Sequence, residues 1–288
     1  MEVFEKNGQK IIRGDAIESL NQEVLDESVD LLFVDPPYNI GKNFNGCLDK
    51  WASDEDYMSW CKTWLDLCIQ KVKPNGSMYF MASTQCMPYF DLYLREQVSI
   101  LSRIVWSYDS SGVQAKKYYG SLYEPILFCV KNQKDYKFNP DSILVEAKTG
   151  AKRKLIDYRG GTPKPYNTKK VPGNVWNFPR VRYRMDEYEN HPSQKPESLL
   201  ERIILASSDE GDLVLDPFSG TFTTSSVAAR LNRKSIGIEQ DLEYFKAGLR
   251  RTGVASHYDG EALTGVAKST ARRNSKKQIS PKDQLTLI

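Results

Sequence analysis

An acid, two prolines and an aromatic residue follow one another at Asp35-Pro36-Pro37-Tyr38, directly after the apolar run 31–34. A proline has a fixed φ and no backbone N–H, so this loop is rigid and its carbonyl oxygens are free to accept hydrogen bonds. A carboxylate and a carbonyl beside a flat ring can hold a planar, amino-bearing group such as a nucleobase. The alternative is structural, because Asp and Pro are also common in an ordinary turn that ends a strand.

A second candidate site follows the predicted strand 212–215 and consists of Asp216, Pro217, Phe218, Ser219, Gly220 and Thr221. Backbone N–H groups in such a loop, together with the N-terminus of the next helix, can hold a ligand carboxylate. Glu239 ends the following apolar run about 20 residues later, where an acid can accept hydrogen bonds from two ribose hydroxyls. The pair indicates a cofactor that contains adenosine. The alternative is a helix cap beside an exposed acid at a strand end.

Four acids follow predicted strands, at Asp15, Asp35, Asp216 and Glu239. The carboxyl ends of parallel strands meet at one edge of a doubly wound sheet, which is where such folds bind ligands. We therefore expect these four side chains to line one crevice. Metal binding is the competing interpretation of four carboxylates, but mostly apolar residues or proline follow them instead of further ligand oxygens. We expect no metal site.

The segment 191–196 reads His-Pro-Ser-Gln-Lys-Pro and precedes a predicted helix. Imidazole chemistry would allow His191 to act as a general base, but a role in holding the loop is the favoured interpretation. The Lys195 ammonium could neutralise the carboxylate of a bound cofactor. The alternative is that the two prolines only bracket the start of a helix.

Alternating strands and helices define the predicted fold. Short, mostly apolar runs predict seven strands, at 10–13, 29–34, 76–81, 103–108, 125–130, 212–215 and 234–238. Helical patterns lie at 57–72, 197–207, 223–231 and 242–249. Several strands are unbroken apolar runs, which is typical of a sheet covered on both faces. We predict an α/β protein with a doubly wound, mostly parallel, seven-stranded sheet.

Positive charge is concentrated in one part of the chain, although the formal net charge of the 288 residues is only +3. The segment 148–184 contains eleven Lys or Arg residues and one acid, so it carries +10 and the remainder carries −7. Aromatic residues between these cations favour a nucleic acid partner over a solvated basic surface. These aromatic residues are Tyr158, Tyr166, Trp176, Phe178 and Tyr183. The predicted DNA-binding residues are Lys152, Arg153, Lys154, Lys169, Lys170, Arg180, Arg182 and Arg184.

This basic segment belongs to a longer stretch, 132–190, that has no clear periodicity and interrupts the alternation of strands and helices. A structureless insertion of this length in a compact domain is usually functional. We predict a catalytic and cofactor-binding domain from 1–131 and 191–255, with an inserted target-recognition region at 132–190. The polar segment 256–288 is predicted to be a basic, disordered tail.

Composition argues against membrane and secreted proteins. The sequence has no apolar run of about 18 residues, the length at which a transmembrane helix is expected. The first residues lack the apolar core of a secretory signal. The five cysteines are scattered without metal-ligand spacing, which indicates reduced thiols. We therefore expect a cytoplasmic protein with no membrane partner.

Together these stretches resemble the DNA amino-methyltransferases that use S-adenosylmethionine. Residues 35–38 match their catalytic DPPY motif, 216–220 their D-P-F-x-G cofactor motif, and 191–196 their HPxQKP element. The order of catalytic motif, basic region and cofactor motif is similar to the β group, in which the intervening region recognises the target. The resemblance covers roughly residues 10–250. It is closest to orphan and restriction-linked adenine-N6 enzymes of palindromic sites, with ATGCAT as the expected site.

The resemblance implies a reaction and a partner. A methyl group would pass from S-adenosylmethionine to the N6 amino group of an adenine that is flipped out of duplex DNA. Asp35 and the Pro36 carbonyl would accept hydrogen bonds from that amino group, and Tyr38 would stack on the adenine ring. A palindromic target would suit a homodimer, and a cognate restriction endonuclease would be a further partner.

The resemblance also implies the cofactor contacts. Asp216 and Phe218 would lie at the methionine end, Glu239 at the ribose and Asp15 at the adenine amino group. One residue departs from the family pattern F-x-G-x-G, because Phe222 stands where the second glycine is common. We expect a shifted contact with the methionine moiety rather than loss of the cofactor.

Three alternatives remain. Transfer to the N4 amino group of cytosine is disfavoured because Ser commonly replaces the first Asp in that subgroup, whereas this chain has Asp35. A methyltransferase of structured RNA is disfavoured by the long basic insertion between the two motifs. A DNA-binding protein that has lost catalysis is suggested only by Phe222.

Overall fold

The computed structural model describes residues 1–109, 115–148 and 153–265, and its centre is a nine-stranded sheet. The strands are β1 (Glu2–Lys6), β2 (Gln9–Arg13), β3 (Val29–Val34), β4 (Val72–Met81), β5 (Ser99–Ser107), β6 (Tyr123–Val130), β7 (Val175–Asn177), β8 (Leu213–Asp216) and β9 (Lys234–Glu239). All seven predicted strands are present. The predicted total was nevertheless wrong, because β1 and β7 each add a strand at one edge of the sheet.

The strand order across the sheet is β1-β2-β9-β8-β3-β4-β6-β5-β7. The neighbours from β2 to β4 in this order run parallel, as do β5 and β7. The pairs β1–β2, β4–β6 and β5–β6 are antiparallel. The chain changes direction across the sheet between β3 and β8, which pair through Leu31 with Val214 and Leu32 with Leu215. Such a switch point opens a crevice at the carboxyl ends of the two strands.

Within the described ranges, six α-helices pack against the sheet. They are α1 (Ala16–Glu23), α2 (Asp54–Lys71), α3 (Met87–Leu94), α4 (Glu197–Ser207), α5 (Thr223–Arg230) and α6 (Leu242–Arg251). Helices α1 to α3 share one core with Leu32 and Val34, while α4 and α5 share the other with Leu31 and Phe33. Successive strand residues point to opposite faces, so the unbroken apolar run of β3 supplies both cores. Among the described residues, none of the helices is long and apolar enough to cross a bilayer.

Strand β7 comes from the segment that the sequence assigns to target recognition. It pairs in parallel with β5, and the buried Trp176 side chain belongs to the same core as Trp106. Trp176 Nε1 donates a hydrogen bond to the Gly173 carbonyl at 2.9 Å, and Phe178 packs against this core. Trp176 was counted among the aromatic residues that favour a nucleic acid partner, but the core occupies its ring, whereas Phe178 is only partly buried.

The rest of this segment contains short elements rather than one continuous loop, so the expectation of a structureless insertion was too strong. These elements are a 3-10 helix at Pro140–Ile143, the pair Val145–Glu146 with Lys169–Lys170, and the pair Ile156–Asp157 with Lys164–Pro165. Both pairs are antiparallel and two residues long. The predicted DNA-binding residue Lys152 lies outside the described residues.

The ordered chain also extends past the predicted start of the tail. His257–Tyr258 and Glu261–Ala262 form an antiparallel pair. The Tyr258 hydroxyl donates to Glu2 at 2.7 Å, and its ring lies 6.2 Å from that of Phe4. Disorder from residue 256 onward was therefore wrong for this stretch, which packs on β1. Residues 266–288 lie outside the described part of the chain.

Candidate active site

The crevice between β3 and β8 opens into a cavity of about 600 Å³. The first strand leads into Asp35 and the second ends at Asp216, and the two strands are hydrogen-bonded neighbours. The predicted catalytic and cofactor residues all line this cavity: Asp15, Asp35, Pro36, Pro37, Tyr38, Lys195, Asp216, Pro217, Phe218, Ser219, Gly220, Thr221 and Glu239. Folding thus brings the four strand-end acids to one edge of the sheet, as the sequence pattern leads us to expect.

Hydrogen bonds hold the loop after β3 in one conformation. The Tyr57 hydroxyl, from α2, donates to the Pro37 carbonyl at 2.7 Å. The backbone N–H of Tyr38 donates to the buried Asp49 carboxylate at 3.1 Å. The Tyr38 hydroxyl donates to Asp35 Oδ1 at 2.6 Å. These contacts fix both the carboxylate and the aromatic ring of the motif at the cavity wall.

Lys195 lies beside Asp35 in a buried cluster of charges. Its Nζ is 2.6 Å from Asp35 Oδ2 and 3.4 Å from Glu124 Oε2. Burial raises the pKa of Asp35, although Lys195 opposes that change. Burial alone would lower the pKa of Lys195, but the Asp35 and Glu124 carboxylates raise it, so the ammonium stays charged. The sequence suggested that Lys195 neutralises a cofactor carboxylate, whereas the structure pairs it with the acid of the DPPY motif.

The loop after β8 turns around the Asp216 carboxylate. Oδ1 accepts a hydrogen bond from the Phe218 N–H at 3.1 Å, and Oδ2 accepts one from the Thr224 hydroxyl at 2.6 Å. The Ser219 hydroxyl donates to the Asp216 carbonyl at 2.8 Å. Burial raises the pKa of Asp216 to about 7. A cationic ligand group beside this carboxyl would favour its ionised form.

Glu239 and Asp15 stand at the ends of neighbouring strands β9 and β2. Glu239 accepts backbone hydrogen bonds from Gly220 at 2.9 Å and from Asp241 at 2.8 Å, and burial raises its pKa to about 7. Asp15 caps α1 by accepting from the Glu18 N–H at 3.0 Å. Each carboxylate oxygen has two lone pairs, so both acids retain acceptor positions for ligand hydroxyl or amino groups.

His191 packs directly on the cofactor-motif loop. Its Nδ1 accepts from the Ser193 N–H at 3.3 Å, and its ring lies 4.5 Å from Tyr244 and 5.5 Å from Phe44. A Cβ added at Gly220 would be only 3.1 Å from Nε2, so glycine permits this close approach. Burial lowers the pKa of His191 to about 3. A neutral ring in these contacts holds the loop and is a weak proton acceptor at neutral pH.

Residues 29–250 match the N6_N4_Mtase family, which is described as DNA methylase. The chain is 59% identical over 274 residues to the DNA adenine methyltransferase YhdJ of Escherichia coli K12, covering 95% of this chain and 92% of that protein. The chain belongs to the DNA methylase family. The resemblance that the sequence motifs indicate is thereby confirmed.

Two further proteins extend this relationship. The chain is 36% identical over 245 residues to the Type II methyltransferase M.HpaI of Haemophilus parainfluenzae, covering 84% of this chain and 74% of that one. The crystal structure of the M1.HpyAVI-SAM complex aligns with a TM-score of 0.56 and 27% identity, covering 84% of this chain and 98% of the other. The doubly wound α/β fold predicted from the alternation of strands and helices is therefore confirmed.

Phe222 is accommodated in this DNA methylase without entering the cavity. Its backbone is left-handed, with φ 57°, and its fully buried ring packs with Phe245 and Leu249. Cβ atoms added at Gly237 and Gly248 would lie 2.6 and 2.2 Å from that ring. These two glycines thus provide the space for it. The residues that line the cavity do not include Phe222, so its ring does not itself displace a cofactor contact.

The predicted DNA-binding residues of the DNA methylase occupy two kinds of surroundings. Arg180 lies over the Tyr108 ring at 5.1 Å, and Arg182 donates to the Asp109 carbonyl at 3.0 Å. Both contacts are just beyond the end of β5. The other described members are exposed: Arg153, Lys154, Lys169, Lys170 and Arg184.

Sequence reasoning missed Glu124, which contacts the Asp35 cluster, and also missed Asp49 and Thr224, which hold the two loops. Glu124 lies near the start of β6, where its Oε2 accepts from the Tyr38 hydroxyl at 3.2 Å and its Oε1 accepts from the Tyr108 hydroxyl at 3.4 Å. The available signal was a single acid in an otherwise apolar strand. Nothing in the linear sequence pairs this acid with Lys195.

The described ranges contain no cluster of three or more His, Cys, Asp or Glu side chains arranged to hold a metal ion. The four strand-end acids instead accept hydrogen bonds from backbone or side-chain groups, as described above for Asp15, Asp35, Asp216 and Glu239.

Proposed function

We propose that this DNA methylase transfers a methyl group from S-adenosylmethionine to the N6 amino group of adenine in duplex DNA. The observation that carries the proposal is that the loops after β3 and β8 line one cavity. One loop offers acceptors for an amino group, and the other offers a buried acid for a cationic methyl donor. The names of the adenine methyltransferase YhdJ and of the M1.HpyAVI-SAM complex support the same assignment.

The cavity suits S-adenosylmethionine in size and in chemistry. Its volume of about 600 Å³ lies in the usual range of ligand pockets. Glu239 and Asp15 would accept hydrogen bonds from the ribose hydroxyls and the adenine amino group of the cofactor. Asp216 and Phe218 would lie at its methionine end. When bound, the cofactor supplies a methyl group on a sulfonium that is already activated, so the protein's task is orientation.

Asp35, Pro36 and Tyr38 would hold the flipped target adenine. Asp35 and the Pro36 carbonyl accept hydrogen bonds from N6 and thereby direct its lone pair. The bond from the Tyr38 hydroxyl to Asp35 fixes the ring as a stacking surface. The Lys195 ammonium lies 5.5 Å from the centroid of that ring, so adenine would stack on the opposite face. Direct attack by N6 forms no covalent bond to the protein and uses no cysteine.

Duplex DNA incubated with the protein and methyl-labelled S-adenosylmethionine should acquire label in N6-methyladenine. The measurement is digestion of the DNA to nucleosides, followed by chromatography and mass spectrometry. Label in N4-methylcytosine would contradict the assignment to adenine. Binding of DNA and cofactor without any labelled nucleoside would show that the protein has lost catalysis.

We also propose that the segment 132–190 recognises the DNA target. The exposed cations of its two short antiparallel pairs and flanking turns suit contacts with phosphates. Arg180 and Arg182 both have contacts just beyond the end of β5. Arg180 lies over the Tyr108 ring, and the Tyr108 hydroxyl donates a hydrogen bond to Glu124 in the Asp35 cluster. This arrangement would guide the duplex from the basic surface toward the cavity.

Replacing both Lys169 and Lys170 with glutamine should weaken DNA binding and make it less sensitive to salt. The slope of log K against log salt should become shallower by about 0.9 for each phosphate contact that is lost. Fluorescence anisotropy with a labelled duplex at several salt concentrations measures this slope. A matched double variant, Lys6→Gln with Lys62→Gln, removes two exposed lysines outside the segment. Equal slopes for the two double variants would contradict this path for DNA.

The proposal also covers the recognised DNA site and the partners of the protein. The target would be a short palindromic site such as ATGCAT, read by a homodimer in the cytoplasm. A cognate restriction endonuclease would cut the same site. The names of Type II methyltransferases such as M.HpaI support this setting.

A further inference from the structure

The site around Asp35 contains a positive charge that opposes the proposed reaction. The Lys195 Nζ is 2.6 Å from Asp35 Oδ2, and both side chains are largely buried. A carboxylate and an ammonium at this distance cancel each other's charge for any group that approaches them. Two further cations, Lys42 and Arg180, lie close enough to interact with the same cluster. Asp35 and Lys195 by themselves therefore offer little net negative charge.

The proposed transfer creates positive charge at this point. The N6 lone pair forms a bond to the methyl carbon, and the bond from that carbon to sulfur breaks with its electron pair remaining on sulfur. The nitrogen then carries one positive charge until one of its protons leaves to the Asp35 carboxylate. Groups that stabilise charge as it develops contribute most to the rate when they are already fixed in place. A net negative site is therefore needed.

Glu124 supplies a second negative charge to this cluster. Its Oε2 lies 3.4 Å from Lys195 Nζ and 3.2 Å from the Tyr38 hydroxyl, which itself donates to Asp35. The three charged side chains in direct contact, Asp35, Glu124 and Lys195, sum to one negative charge. Lys42 and Arg180 form no ion pair with Asp35 or Glu124 and act on them only at longer range. The Tyr108 hydroxyl also donates to Glu124, at 3.4 Å, and keeps its carboxylate facing the cluster. Glu124 is thus held where it acts on Lys195 and Tyr38 rather than on a ligand.

We propose that Glu124 is a positioning residue for methyl transfer, which offsets the charge of Lys195 and keeps the Asp35 site negative toward the attacking nitrogen. This inference rests on the proposed function. Lys195 remains useful in the site because its ammonium holds Asp35 Oδ2 in place beside the Tyr38 ring. The Tyr38 hydroxyl couples the two carboxylates, so the loss of either one changes the charge that N6 meets.

Charge variants can separate this role from a purely structural one. Glu124→Gln keeps the shape of the side chain and its acceptor oxygen but makes the cluster neutral. Its single-turnover rate should fall roughly 100-fold, the size of effect seen when one preorganised electrostatic group is lost. Glu124→Asp keeps the negative charge at this position on a shorter side chain. It should therefore transfer methyl groups about 10-fold faster than Glu124→Gln, because the charge is retained.

The experiment combines rapid-quench kinetics with calorimetric measurement of S-adenosylmethionine binding and with thermal unfolding. We expect cofactor affinity in Glu124→Gln to stay within about threefold of wild type, since the hydrogen bonds and ion pairs of Glu124 involve Tyr38, Tyr108 and Lys195 and not the cofactor acids Asp15, Asp216 and Glu239. Glu210→Gln, at an exposed loop position, is the matched control and should behave as wild type.

Three results would overturn the proposal: a wild-type rate in Glu124→Gln, a rate in Glu124→Asp no higher than in Glu124→Gln, or loss of cofactor binding in a folded Glu124→Gln protein. Wild-type protein assayed in parallel must produce N6-methyladenine. A failure of the proposed function would therefore appear in the wild type, whereas a failure of this inference would appear only in the variants.

Discussion

Asp35→Ala should stop methyl transfer, with a fall in the single-turnover rate of about 10⁴-fold or more. The substitution removes the acceptor that directs the N6 lone pair and one of the two negative charges beside the reacting nitrogen. The Tyr38 hydroxyl also loses the partner that lies 2.6 Å away. Asp35→Asn should be almost as slow, since its amide keeps the size of the side chain but carries no charge. Rapid-quench assays with one duplex at saturating cofactor measure both rates.

Cofactor binding should survive in both Asp35 variants, because Asp15, Asp216 and Glu239 are unchanged. Calorimetric titration with S-adenosylmethionine and a thermal melt establish that each variant is folded and loaded. Glu96→Ala removes an exposed carboxylate outside both the cavity and the segment 132–190 and is the matched control. A folded Asp35→Ala protein that fails to bind the cofactor, or one that still transfers methyl groups efficiently, would contradict the role assigned to Asp35.

Gly248→Ala should destabilise the fold by about 2–3 kcal/mol, even though alanine is the better helix former. A Cβ at this position in α6 would lie 2.2 Å from the Phe222 ring, whose atoms cannot retreat because Phe222 is fully buried. Urea denaturation followed by circular dichroism measures the change in the free energy of unfolding. Gly173→Ala, where the added Cβ would meet no atom within 4 Å, is the control and should be nearly neutral.

Phe222→Gly provides the second half of this test. It restores the glycine common in the family and removes the left-handed strain, but it also empties a buried site. The net loss should be roughly 2–4 kcal/mol. In that background Gly248→Ala should cost almost nothing, because the three atoms nearest to the added Cβ all belong to the Phe222 ring. Additive losses in the double variant would show that Phe222 does not fill the space left by Gly248.

Strongly periodic elements could be predicted from the sequence because their apolar pattern reports burial directly. The bounds of β3 and α4 are reproduced, since each is an unbroken or regularly spaced apolar segment. β1 was missed because three of its five residues are charged and none of the five is fully buried, so this edge strand has no apolar pattern. Trp176 was counted among the aromatic residues that favour a nucleic acid partner because its segment is basic, yet pairing of β7 with β5 buries it.

The candidate site likewise has a part that the sequence predicts and a part that it does not. The DPPY loop, the Asp216 loop and Glu239 were predicted because each follows a strand, and parallel strands bring their carboxyl ends to one edge. This much the sequence by itself determined, together with the chemistry those residue types allow. The partner of Lys195 was not predictable, because the three charges of the cluster come from three separate elements of the chain.

Tertiary structure alone decided which groups share the buried space around Asp35. Glu124 lies near Asp35 because β6 lies beside β4 in the sheet. Lys195 lies near Asp35 because the loop before α4 lines the cavity. The sequence predicted that Phe222 would shift a contact with the methionine moiety. Its ring instead packs in the core, because Gly237 and Gly248 leave room for it. The chemical groups at the end of each strand come from adjacent residues, so the sequence shows them directly. Charge compensation and steric fit act between residues distant in sequence, so they exist only once the chain has folded.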